Sequence, residues 1–155
     1  KSDSQGFLCS LLRLIERLLV TYSTDDRLRN LVEGTLFSYS LRSIMTQRDT
    51  FSSEELAHAL VITASFVHNE PTALTILQEQ QVTQALLESL GKGIPADAEV
   101  LGSVMLAFSA VCLNAVGTGM FAVLNPMRRL FSVFLDPSYT RVLMQHGNAA
   151  IIGQA

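Results

Sequence analysis

Two stretches of this chain follow one plan. "ELAHALVITASFVHNEPTALTILQEQQVTQALLESL", from Glu55 to Leu90, and "VLGSVMLAFSAVCLNAVGTGMFAVLNPMRRLFSVFL", from Val100 to Leu135, each read as a long apolar helix, a turn holding an asparagine, a short helix, a second turn and a medium helix. Asn69 and Asn114 stand 45 residues apart, and "ALLESL" at 85 to 90 falls opposite "LFSVFL" at 130 to 135 at the same offset. A weaker third copy spans roughly residues 8 to 46. A unit of this size cannot bury its own apolar faces, so copies must stack, each touching its neighbours.

The local signals within the units are helical. Leu8, Leu11, Leu12, Ile15, Leu18 and Leu19 recur at three- and four-residue spacing with Arg13, Glu16 and Arg17 between them, an amphipathic helix ending near "TYSTDD". A second such segment runs through Leu28, Leu31, Val32, Leu36, Leu41, Ile44 and Met45. Ser52 with Glu55 three residues on is a capping box, opening a helix through Leu56, Leu60, Val61 and Phe66. Pro71 is placed to open "TALTILQEQ"; "VTQALLESL" follows, and "GKGIP" breaks the chain. Asp97 is placed to cap a long helix that "NAVGTG" ends, "MFAVL" makes a short one, and Asn125 with Pro126 caps and opens another over Met127 to Leu135. No segment shows sustained alternation or an Asn-Gly hairpin signal, so the chain is read as all-α.

Between Glu99 and Arg128 the chain carries no charge. Leu101, Val104, Met105, Phe108, Val111 and Cys112 form one helical face and Leu106, Ala110 and Leu113 a second, which calls for neighbours on both sides. Gly102, Ser103, Ala107 and Ala110 let those neighbours come close. A membrane span is disfavoured, because "NAVGTG" would lie in lipid with its backbone poorly satisfied. The period near 45 residues is that of armadillo and HEAT units. The expectation is a single domain over 1–155, an armadillo/HEAT-like right-handed superhelical solenoid of about three repeats at 8–50, 52–94 and 97–140, with a tail at 141–155.

Of the 155 residues, 48% are hydrophobic and 16% charged, which argues against disorder. The net charge of −3 is unevenly spread: residues 50 to 99 hold Glu54, Glu55, Glu70, Glu79, Glu88, Asp97 and Glu99 against Lys92 alone. No clustered Lys and Arg make a nucleic-acid footprint, so neither direct nucleic-acid binding nor a membrane is expected. Cys9 and Cys112 lie far apart, and no Asn-x-Ser/Thr acceptor occurs, which points to a reducing intracellular compartment. "KSDSQGF" lacks the plan of a signal peptide, and the chain reads as part of something larger.

Single residues offer little chemistry. Cys112 is expected to be a buried, inert thiol, with no basic group at adjacent helical positions, and Cys9 likewise. "EELAH" places Glu54, Glu55 and His58 on one surface but lacks the second His of a zinc-binding helix, so no metal or cofactor is expected. His68 is placed to hydrogen-bond near a helix end, and His146 lies in the polar tail. "GKG" at 91 to 93 lacks the rest of a phosphate loop and reads as a turn. Asn69 and Asn114 read as left-handed helix caps, with Ser65 and Ala110 at the mid-helix positions where a peptide-binding asparagine ladder would stand. The candidate partner surface is acidic: Glu54, Glu55, Glu79 and Glu88 are expected to face away from the apolar stripes, either as a dock for basic clients or as a solvated face.

"NEP" at 69 to 71, "EVLGS" at 99 to 103, "FSAVCLNA" at 108 to 115 and "RLFSVFLDPSY" at 129 to 139 keep order and spacing within residues 50 to 143. This run resembles the N-terminal armadillo-like region of the giant HECT-type ubiquitin ligases, the animal Mule and fungal Tom type. Residues 1 to 49 fit only as generic helices. The resemblance implies a parent ligase of the nucleus and cytoplasm whose helical repeats gather protein substrates, including basic nuclear ones, and adjoin further repeats of the same chain. The transfer cysteine would lie in a C-terminal domain outside these residues, leaving this segment a non-catalytic scaffold. An independent armadillo/HEAT adaptor in transport or signalling is the alternative, and an unrecognised helical enzyme a third.

Overall fold

The computed structural model describes residues 2–19, 33–69, 73–133 and 135–145, with single positions at 27, 30, 147 and 150. Among these residues the chain is all-helical, with nine helices and no strand. They are α1 (Ser2–Leu19), α2 (Thr35–Thr46), α3 (Ser53–Asn69), α4 (Ala73–Glu79), α5 (Val82–Gly91), α6 (Ala98–Val111), α7 (Ala115–Leu124), α8 (Met127–Val133) and α9 (Pro137–Leu143).

Most boundaries follow from local chemistry. The capping box forms before α3: the Ser52 N–H donates to Glu55 Oε2 at 2.6 Å, and the Glu55 N–H donates to Ser52 Oγ at 3.2 Å. Asp97 accepts from the Glu99 and Val100 amides at 2.9 and 3.3 Å and starts α6. Gln81, with φ 60°, turns the chain from α4 into α5. Leu28, Leu31, Val32, Pro71 and the "TYSTDD" stop lie outside the described residues.

Three expectations differ. "NAVGTG" is not a break: α6 stops at Val111, and the segment supplies the cap and first turn of α7. Gly117 permits this, because a Cβ there would lie 1.9 Å from the Val111 carbonyl oxygen, so only glycine lets α7 cross the end of α6 so closely. Asn125 does more than open α8: its carbonyl accepts from the Arg128 N–H at 3.3 Å, and with φ 43° it also ends α7, its N–H donating to the Phe121 carbonyl at 2.9 Å. Beyond it, residues 137–143 form α9, capped by Asp136 with Pro137 in its first turn.

The helices pack in rows. α3 lies between α1 and α6, with its most extensive contact to α6; α2 packs on α5 and α3, while α7 contacts α5 and α6. Leu56, Leu60, Ile62, Phe66 and Val67 of α3 are buried together with Leu101, Val104, Phe108 and Val111 of α6. The small residues expected at this contact, Gly102, Ser103, Ala107 and Ala110, are all buried. Leu106 and Leu113 are exposed, so the second face of the charge-free helix is covered only in part. Phe108 meets Phe121 edge-on, with centroids 5.0 Å apart.

Contacts between rows recur at the sequence period. Arg13 Nε donates to His58, Arg48 to the Gly93 carbonyl and Tyr139 to the Ile94 carbonyl, each pair 45 residues apart. Among the described residues no helix is long and apolar enough to cross a membrane.

Candidate interaction surfaces

The four candidate acidic residues do not form one face. Glu55 is buried at 1% exposure, contrary to the expectation that it faces outward, because both its carboxylate contacts go to Ser52 in the capping box. Glu54 is partly exposed but paired, its Oε1 2.5 Å from an Arg13 guanidinium nitrogen on α1. Glu88 accepts from Gln84 Nε2 at 2.7 Å beside α7, and Glu79 is exposed at the end of α4. Glu99 is also exposed, Asp97 is occupied as a cap, and Glu70 lies outside the described residues.

At the α1–α3 seam a charged cluster closes around His58. Arg13 Nε can only donate, so His58 Nε2, 3.3 Å away, accepts; the ring proton then sits on Nδ1 and is donated to Glu16 Oε1 at 2.8 Å. A hollow of about 410 Å³ beside it is lined by Gln5, Gly6, Cys9, Ser10, Arg13, Ser52 and Glu54. Burial pushes the Cys9 thiol up, and the negative charges of Glu54 and Glu55 add to this, so no thiolate is favoured.

Cys112 corrects a second expectation: it is exposed, not buried. α6 ends at Val111, leaving Cys112 in the cap position. Partial desolvation still raises its pKa. Among the described residues no group of His, Cys, Asp or Glu is arranged to hold a metal. His68 is exposed in the last turn of α3, and His146 lies outside the described residues.

The asparagines are caps of a different kind from those expected. Asn69 Nδ2 donates to the Leu19 carbonyl at 2.9 Å and so closes the end of α1. Asn114 is extended, not left-handed, and its Oδ1 accepts from the Gly117 N–H at 2.7 Å and from Gln78 at 3.2 Å, tying α7 to the end of α4. Ser65 is half-buried and Ala110 buried.

"GKG" is a turn as expected, with Gly93 at φ 121°. Beside it a polar hollow of about 490 Å³ contains Arg48 and Lys92. Both cations stand just beyond helix C-termini, those of α2 and α5, where they offset the negative ends of the helix dipoles. Arg48 also clips the two rows, donating to Ser89 Oγ at 3.2 Å and to the Gly93 carbonyl.

Sequence reasoning missed two exposed apolar faces. Leu41 and Leu86 are buried, but Phe131, the next residue at the same offset, is 59% exposed. Met45 and Leu90 are likewise buried, whereas Leu135 is 86% exposed. Val67 is buried and Cys112 exposed. α1 shows the converse: Leu11, Leu14 and Leu18 are exposed, although Leu56, Ala59 and Thr63, 45 residues on, are buried. One face of α1 and another formed by the end of α6 with α8 and residue 135 are thus apolar and uncovered.

A family model described as Domain of Unknown Function (DUF913) matches residues 2–155. The chain belongs to this family. This DUF913 chain is 32% identical over 151 residues to E3 ubiquitin-protein ligase ptr1 of Schizosaccharomyces pombe, covering 97% of the chain and 5% of the relative. It is 32% identical over 149 residues to E3 ubiquitin-protein ligase HUWE1 of Mus musculus, covering 96% of the chain and 3% of the relative. E3 ubiquitin-protein ligase TOM1 of Saccharomyces cerevisiae is 29% identical over 138 residues, 89% of the chain and 4% of the relative. The DUF913 chain therefore spans only a small part of the length of the relatives it matches. The ligase resemblance reaches nearly the whole chain, beyond the 50 to 143 on which it was recognised.

Proposed function

We propose that this chain is a non-catalytic scaffold and substrate-recruitment segment of a HECT-type E3 ubiquitin-protein ligase, acting in ubiquitin-dependent protein degradation in cytoplasm and nucleus. Its architecture is an armadillo/HEAT-like right-handed superhelical solenoid with units at 8–50, 52–94 and 97–140, and its neighbours are further repeats of the same parent. The observation that carries this reading is the pair of uncovered apolar end faces. Solenoids close their ends with polar capping units, whereas the faces of Leu11, Leu14 and Leu18 and of Phe131 and Leu135 are apolar. The similarity to E3 ubiquitin-protein ligases supports the parent's identity.

The acids that remain outward, Glu79, Glu88 and Glu99, serve as a solvated surface in this reading. Removing residues 52–94 as one unit from the parent ligase tests the assignment. Loss of substrate ubiquitination with ubiquitin loading of the catalytic domain intact is expected, together with no ubiquitin adduct on Cys9 or Cys112 of the isolated chain. Undiminished substrate ubiquitination, or a reducible adduct on either thiol, would overturn it.

A further inference from the structure

Of the 11 basic residues in the chain only Lys1 and Lys92 are lysines, and Lys1 lies outside the described residues. Arg13 needs its guanidinium, because it bonds His58 and Glu54 through different nitrogens, and Arg48 is half-buried across Ser89 and Gly93. Arg17, Arg42, Arg128, Arg129 and Arg141 differ: all are exposed, and their side chains make no hydrogen bond or ion pair among the described residues. Arg17 and Arg141 stand in the last turns of α1 and α9, where a lysine would offset the helix dipole equally well. Nothing in the fold asks for arginine over lysine at these positions.

The chemical difference between the two side chains is nucleophilicity. A lysine that sheds its proton has a lone pair on Nζ, while an arginine guanidinium stays protonated and has none to offer. Lys92 is placed to use that lone pair. It is exposed and without a side-chain partner among the described residues; a Cβ added at Gly91 or Gly93 on either side would meet nothing within 4 Å; and the polar hollow of about 490 Å³ opens beside it.

We infer that Lys92 is the ubiquitin acceptor of this segment, and that arginine at the other exposed cationic positions keeps it the only one among the described residues. In the transfer step the Nζ lone pair attacks the carbonyl carbon of a ubiquitin thioester. The C–N bond forms as the C–S bond breaks, and the proton lost by the nitrogen ends on the departing thiolate. The inference rests on the ligase reading above and adds where the parent's own transfer chemistry reaches this segment.

Mass spectrometry of the parent ligase after turnover with ubiquitin tests it. Trypsin leaves a Gly-Gly remnant on each modified lysine, and a glutamate-specific protease frees the stretch from Ser89 to Glu99. The remnant should be found on Lys92 and should vanish in Lys92→Arg, with substrate ubiquitination unchanged. A second variant, Arg42→Lys with Arg128→Lys and Arg129→Lys, alters only exposed, unpartnered side chains and should keep the helical circular dichroism of the unchanged segment. It should gain the remnant on at least one of the new lysines. A bare Lys92 in a parent that modifies its substrates overturns the inference and leaves the ligase reading standing, and so do new lysines that all stay bare. A parent that modifies no lysine at all sinks both.

Discussion

The Tyr139 hydroxyl donates to the carbonyl of Ile94, forty-five residues earlier in the chain. The bond ties α9 to the loop after α5, and Arg48, whose positive charge is felt at Tyr139, holds the same loop from the side of α2 through Gly93. A polar node thereby joins the end of α2, the loop after α5 and α9.

Tyr139→Phe should remove one partly buried hydrogen bond and lower stability by about 0.5–1.5 kcal/mol. Desolvation, with Asp136 nearby, raises the tyrosine pKa above its ordinary value of 10.0. The fold therefore holds the phenolic proton more tightly than the unfolded chain does. The resulting stability is fully present below pH about 10 and is lost as pH rises from there through the folded-state value. Denaturant melts at neutral and alkaline pH should show the native chain weakening above pH about 10 more than the Phe variant; parallel curves would remove Tyr139 from the node.

Gly117 and Gly119 lie two residues apart in α7 and should respond oppositely to alanine. Helix propensity favours alanine over glycine by about 1 kcal/mol at either site. At Gly119 nothing lies within 4 Å of the added carbon, so Gly119→Ala should stabilise by about 0.5–1 kcal/mol. At Gly117 the carbon would meet the Val111 carbonyl at 1.9 Å, and Gly117→Ala should destabilise by at least about 1–3 kcal/mol as α7 is pushed off α6. Thermal melting of the two variants measures the difference, and equal shifts would contradict this crossing of α6 and α7.

Glu54 and Glu55 are adjacent and both acidic, yet they should behave differently. Glu55→Gln keeps a side chain able to accept from the Ser52 N–H and should change stability little, whereas Glu55→Lys places an unpaired cation in a buried site and should unfold a marginal domain. Glu54→Lys gives up partly exposed contacts with Arg13 and His58, a change of about 1 kcal/mol or less. Chemical denaturation of the three variants checks the order. A Glu55→Lys chain as stable as Glu54→Lys would return Glu55 to the surface.

The features legible in the chain were those settled within a few residues. Helical phase follows from apolar spacing, the Ser52–Glu55 box needs only three residues, Asp97 caps the amides next to it, and the 45-residue period is written in the order of turns and helices. The Asp136-Pro137 start of α9 is equally local. What only the tertiary structure decided is which surfaces are covered. Glu55 and Glu54 look alike in sequence, but the capping carboxylate must fold back over its own helix end while its neighbour reaches across to α1. Asn114 is an N-cap and not a left-handed one because α7 turns back over the end of α6 at Gly117. Cys112 has the apolar setting of Val67 in sequence and is nonetheless exposed, as Phe131 and Leu135 are, because burial depends on which helices pack against a face and not on the apolar pattern of the face itself. Local order is set by neighbours along the chain; burial is set by neighbours forty-five residues away.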